Sequence, residues 1–150
     1  MREIKFRGMG INGEWYYGNL SIIKQRIKSM GIDSGSYISN KAGIPFAYSV
    51  RPETVGQYTG FKDKNGREIY EGDILKRAVT VVMYGSGKPP KDIDEYLEVE
   101  YREDYAGFYI GERPLFAYVD NTRDVDTGCR CTKAEVIGNI YEDPELIESK

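Results

Sequence analysis

The sequence predicts a mainly β protein, made of small barrel-like or sheet subdomains with a short C-terminal helix. Three observations carry this. The 150 residues include 13 Tyr, 5 Phe and 1 Trp beside 17 Gly, a mixture of pleat-filling aromatics and turn formers that suits strands better than helices. Short stretches alternate apolar and polar side chains with a period of two. Asn-Gly and Gly-Asp pairs fall between those stretches, where tight turns would reverse the chain.

Each element follows from the local pattern. "REIKFRGM" sets Ile4 and Phe6 against Glu3, Lys5 and Arg7, the pattern of a half-buried strand. Asn12-Gly13 turns it into the return strand "EWYYGNLSII". Residues 21–31 are ambiguous between strand and short helix, because Ile23, Ile27 and Met30 fit a helical face inside a β context. "SGSYIS" and "PFAYSV" read as strands around the loop "NKAGI", and Pro52 suits the first position of a single helical turn. "REIY" is a short strand between the turns "KNG" and "EGD". "DILKRAVTVVMYG" is the most apolar stretch and reads as a central strand, bent near Lys76-Arg77. Past the polar loop with Pro89-Pro90, "EYLEVEYRE" alternates cleanly, and "GFYIGE", "PLFAYV" and "CTKAEVIGNIY" continue the β pattern. Asp143-Pro144 opens a terminal helix that turns Leu146 and Ile147 back onto the sheet. The chain is read as a single domain over 1–150, or as two subdomains meeting near 84–92.

Composition narrows the function. At this length a chain buries about 70% of its extended surface, so the core needs no disulfide or metal. The first residues contain no apolar run, which predicts no secretion signal and a cytoplasmic location without membrane contact. There is no His, which removes the commonest general base and metal ligand. Charge is uneven: residues 1–30 carry 6 basic and 2 acidic side chains, residues 31–90 carry 8 and 6, and residues 91–150 carry 7 and 16. Opposite-charged parts can meet within a chain or between copies.

The chemical motifs fail on spacing. Asp63 and Asn65 suit the first two ligand positions of a calcium loop, but the required Gly and closing Glu fall on Glu68 and Ile74. A loop from Asp124 through Asp126 to Glu135 lacks the required Gly, with Cys129 in its place. "YGSGKPP" lacks the first Gly of a phosphate loop and has Pro89 where a hydroxyl is needed. Cys129 and Cys131, placed on one strand face by their spacing, are two thiols where zinc takes four ligands. No catalytic, cofactor-binding or metal residue is assigned, and no enzyme is expected. The candidate binding surface is Lys5, Arg7, Trp15 and Tyr17, cations and aromatics on one face of the first hairpin, which could stack bases and hold phosphates. The acidic balance, with net charge -3, weighs against a nucleic-acid partner.

Four blocks, "REIKFRG", "GEWYYGNL", "VRPETVGQYTGFKDKNGREIYEGDILK" and "EVIGNIYEDPELI", occur in that order along the chain. In these the sequence resembles the YopX family of bacteriophage and prophage proteins. The resemblance implies a small cytoplasmic protein of a temperate phage, without an established activity, and similar to proteins that form oligomers. It carries no catalytic or binding residue. The expected role is therefore a non-enzymatic accessory protein, a homo-oligomer acting by contact with an unidentified phage or host protein. The alternatives are a nucleic-acid-binding β module and a small phage enzyme. "YEGD" followed by "ILK" also resembles a turn of SH3-like barrels, where Gly makes the bend and Asp caps it.

Overall fold

The structure is a computed structural model describing residues 3–40, 47–82, 85, 87–124 and 127–148. It forms two compact units, divided between Gly60 and Phe61.

The N-terminal unit is an antiparallel sheet. β1 (Phe6–Met9) pairs with β2 (Trp15–Ile23) and with β5 (Gly56–Lys62). β3 (Gly35–Ser39) pairs with β2, and β4 (Tyr48–Val50) pairs with β3. The unit buries Met9, Ile38, Val50 and Tyr58. The ambiguous stretch is mostly irregular: β2 runs to Ile23, and a single 3-10 turn at Lys28–Met30 is closed by an Ile27–Ile32 bridge. Pro52 opens a 3-10 turn, Pro52–Thr54. The Thr54 hydroxyl accepts the Met9 N–H at 2.9 Å and donates to the Arg51 carbonyl at 2.7 Å, fastening this turn to β1. "NKAGI" lies, except for Asn40, outside the described residues.

In the C-terminal unit, β6 (Glu68–Tyr70) follows the end of β5 through a tight turn. A second antiparallel sheet has the order β10-β9-β8-β7-β11, formed by β7 (Asp73–Val81), β8 (Lys91–Arg102), β9 (Gly107–Ile110), β10 (Arg113–Pro114) and β11 (Glu135–Asn139). Helix α1 (Glu145–Glu148) lies against β8, with Leu146 and Ile147 half-buried. Leu75, Val99, Ile110, Leu115, Tyr118 and Val136 belong to the core on one side of this sheet. Burying each such side chain stabilises the fold by about 1.5–3 kcal/mol.

The fold is thus mainly β with a short C-terminal helix, and its strands form open sheets; among the described residues none closes into a barrel. One expectation changes. "PLFAYV" is not a strand. Pro114 ends β10, and Leu115–Ala117 form a 3-10 turn whose Tyr118 N–H bonds back to the Leu115 carbonyl at 3.0 Å. That geometry buries Leu115, Tyr118 and Val119, which no single strand face could do. Through Lys76-Arg77, β7 pairs with β8 without a break in register, from Ile74 to Val81. Pro89-Pro90 lies between these two paired strands, inside the C-terminal unit.

Candidate functional site

The acidic, glycine-punctuated segment from Asp63 to Asp73 is turn chemistry. Asp63 is buried, and its Oδ1 accepts the N–H groups of Asn65 and Arg67, both at 2.9 Å. Its Oδ2 accepts the Val136 N–H at 2.9 Å, so the first turn of the C-terminal unit is tied to β11. A carboxylate taking three backbone donors is a structural cap. Asp73 acts alike, accepting the Tyr70 N–H at 2.7 Å across Gly72, whose φ of +91° suits glycine alone. The last block repeats the device. Asn139 Oδ1 accepts the N–H groups of Tyr141 and Glu142, each at 3.0 Å. Gly138 sits at a register shift against β7, where a Cβ would collide with the Asp143 carboxylate.

The predicted binding surface is assembled, but not as free cations. Arg7 stands opposite Tyr17, and alternation puts Lys5, Arg7, Trp15 and Tyr17 on one face. Arg7 is only 4% exposed, and its guanidinium lies 4.7 Å from the Trp15 ring centroid. The Lys5 ammonium lies 5.4 Å from the Tyr58 ring. Tyr17, 44% exposed, is the most open of the four. Tyr16 faces the other way, stacked on Tyr48 at 4.0 Å.

A buried polar cluster escaped sequence reasoning. Arg77, 2% exposed, lies within the C-terminal unit. Its Nε donates to Glu95 at 2.8 Å and its Nη2 to Asp124 at 3.0 Å, while its plane lies 4.1 Å over Tyr118. The Tyr118 hydroxyl donates to Glu95 at 3.0 Å. Arg113 reaches Asp124 through Nε at 3.1 Å and Nη2 at 3.2 Å, and the Thr127 N–H and hydroxyl bond Asp124 at 3.2 and 2.8 Å. Burial would raise the Asp124 pKa, but the bonds from Thr127 and Arg77 outweigh it and hold the carboxyl below its usual range. Burial pushes the Cys131 thiol up, and its sulfur lies 3.6 Å from Arg77 Nη1. Cys129 is half-exposed, so the two thiols occupy different surroundings and do not act as a pair. Among the described residues no group of His, Cys, Asp and Glu is arranged to hold a metal ion. A sequence signal for Arg77 did exist: it alternates in phase with buried Leu75 and stands opposite Glu95.

On the other face of β8 carboxylates accumulate. Asp92, Asp94, Glu98 and Glu100 project together. Glu98 and Glu100, with Glu71, Gly72, Tyr101 and Tyr141, line a cavity of about 370 Å³. Burial, then the charges of Glu100 and Glu71, push the Glu98 carboxyl up. Lys76 lies 3.9 Å from Asp94. Among the described residues Glu98 and Glu100 have no basic partner.

With this geometry in view, the sequence matches the family model described as YopX protein over residues 5–148. The chain belongs to the YopX family. A solved structure, protein EF1440 from Enterococcus faecalis, is similar to this YopX protein with 26% identity and a TM-score of 0.51, covering 99% of this chain and 100% of that one. Among curated proteins no sequence matches. The YopX blocks are, in this chain, largely the capped turns and packed glycines described above. No helix among the described residues is long and apolar enough to cross a membrane.

Proposed function

We propose that this YopX protein is a non-enzymatic accessory protein of a phage or prophage, cytoplasmic in the bacterial host, acting through protein–protein contacts as a homo-oligomer. The observation that carries the reading is the carboxylate face of β8, where Glu98 and Glu100 lack basic partners among the described residues. Crowded carboxylates repel one another, and a basic partner surface would relieve that cost. A second copy can supply one, because residues 1–60 carry 8 basic and 4 acidic side chains while residues 61–150 carry 13 and 20. Light scattering across protein and salt concentration tests this. The expected mass exceeds a monomer at low salt and falls toward about 1 M salt, where the screening length is about 3 Å. A monomer mass at every concentration and salt level overturns it.

A nucleic-acid-binding module is the second reading, favoured by the gathering of Lys5, Arg7, Trp15 and Tyr17 on one face. It predicts quenching of Trp15, the only tryptophan, by single-stranded oligonucleotides at low salt. The burial of Arg7 against Trp15 ranks it below the first.

A further inference from the structure

A cavity of about 400 Å³ in the C-terminal unit is lined by Thr80, Val82, Pro90, Cys129, Arg123 and Arg130, among others. It adjoins one end of the carboxylate face, where the Thr80 hydroxyl bonds Asp92 at 2.7 Å, and its two arginines make it cationic within the acidic unit. Arg123 and Arg130 are partners in an isolated antiparallel bridge. The Asp124 N–H donates to the Cys129 carbonyl at 2.8 Å and the Cys131 N–H to the Thr122 carbonyl at 2.9 Å. Those flanking bonds make Arg123 and Arg130 a non-hydrogen-bonded antiparallel pair, the kind whose side chains stand closest. Like charges directly opposite each other are destabilising. Among the described residues neither arginine has an ion-pair partner; Arg123 Nη1 donates only to the Gly128 carbonyl, at 3.2 Å.

The described residues next to this pair are tied to the rest of the unit. Asp124 follows Arg123 directly and is fixed by Arg77, Arg113 and Thr127. The Thr127 hydroxyl in turn accepts the Cys129 N–H at 3.2 Å. The Thr80 N–H donates to the Arg130 carbonyl at 2.7 Å, so Arg130 is pinned beside β7. Backbone bonds and the Asp124 network thus fix the two arginine positions opposite each other, and an anion would offset the repulsion of their charges.

We infer that this cavity binds a phosphomonoester, its phosphate between Arg123 and Arg130 and its organic part against Val82 and Pro90. Guanidinium forks match phosphate oxygens in pairs, and a phosphomonoester carries nearly two negative charges near neutral pH, one for each arginine. A carboxylate would leave one charge uncompensated. The cavity is larger than a phosphate ion and falls within the range of small-ligand sites.

The experiment titrates inorganic phosphate, adenosine 5′-monophosphate and adenosine into the full chain, reading backbone amide shifts. The expected result is saturable shifts with the two phosphates, confined to residues 80–82 and 121–131, tighter for the mononucleotide and absent for adenosine. Arg123→Gln and Arg130→Gln, both at exposed positions, should each weaken binding about tenfold, through loss of a charge-assisted bond. Arg130→Lys keeps the charge without the fork and should fall between. Alkylation of Cys129 should slow when the mononucleotide is bound. No saturation by about 10 mM, a weak binding limit, overturns the site, as do shifts spread over the whole surface or unchanged affinity in both glutamine variants. Equal affinity for phosphate and mononucleotide overturns the phosphomonoester assignment.

Discussion

One strand serves two opposite electrostatic regimes. From β8, Glu95 reaches the core side and is bonded by Arg77 and Tyr118, while Glu98 and Glu100 face the other side with no ion-pair partner among the described residues. Inside, each charge is matched: Arg77 and Arg113 answer Glu95 and Asp124. Outside, the four carboxylates of β8 outnumber the cations Lys76 and Arg102 on the same face. A buried charge without partners would unfold the unit, so the interior had to be balanced. The outer face carries no such requirement, and its imbalance is available for contact.

The comparison can be broken most severely at Arg77. Arg77→Ala leaves Glu95 and Asp124 without their central cation and should cost about 3–5 kcal/mol, read as a lower urea midpoint. Asp124→Asn keeps the shape but removes the charge that Arg77 and Arg113 share, and should cost about 2–3 kcal/mol. Its effect should depend on pH. The folded pKa is lowered, so the stabilisation is complete above the ordinary carboxylate pKa of about 4. It is lost as pH falls through the lowered folded value, and the two urea midpoints should converge in acid.

Gly72→Val tests the outer side, since Gly72 lines the carboxylate cavity and a Cβ would stand 3.1 Å from Tyr141. At a positive φ a β-branched residue is strained, and the loss should be about 2 kcal/mol, visible as a lower melting temperature. Glu98→Gln has the smallest effect and the opposite sign. The folded pKa of Glu98 is raised, so its cost to folding grows as pH rises through the ordinary Glu range and is complete above the raised folded value. The variant should be more stable at pH 7 by up to about 1 kcal/mol, and the gain should vanish as pH falls below the ordinary Glu range. A destabilised Glu98→Gln would show that the outer carboxylates are matched after all.

Much of this fold was readable where local chemistry decides it. Asn12-Gly13 and Asn65-Gly66 both signalled hairpins, and both turn alike: Gly13 and Gly66 have φ of +82° and +81°, and their N–H groups bond Gly10 and Asp63 carbonyls at 3.0 Å. The Gly72-Asp73 cap was readable for the same reason. The candidate face was half-readable, because alternation gathers its four residues but does not say that Trp15 covers Arg7. The Arg77 cluster was not read. Its partners lie 18 and 47 residues away along the chain, and no local rule links Asp124, in an irregular loop, to a strand arginine. "PLFAYV" misled because Leu115, Phe116, Tyr118 and Val119 suit a strand by propensity, while tertiary burial selects a helical turn.

The bond from Val136 to Asp63 has a consequence for biosynthesis. It joins groups 73 residues apart, and β11 also pairs with β7. On a ribosome the N-terminal unit is complete once Gly60 has emerged. The C-terminal unit must wait for its last strand, with one edge of β7 open while the intervening residues are made. Such an edge can join a neighbouring nascent chain. Lys76, beside Glu135 in the finished sheet, places a charge on that edge throughout the wait.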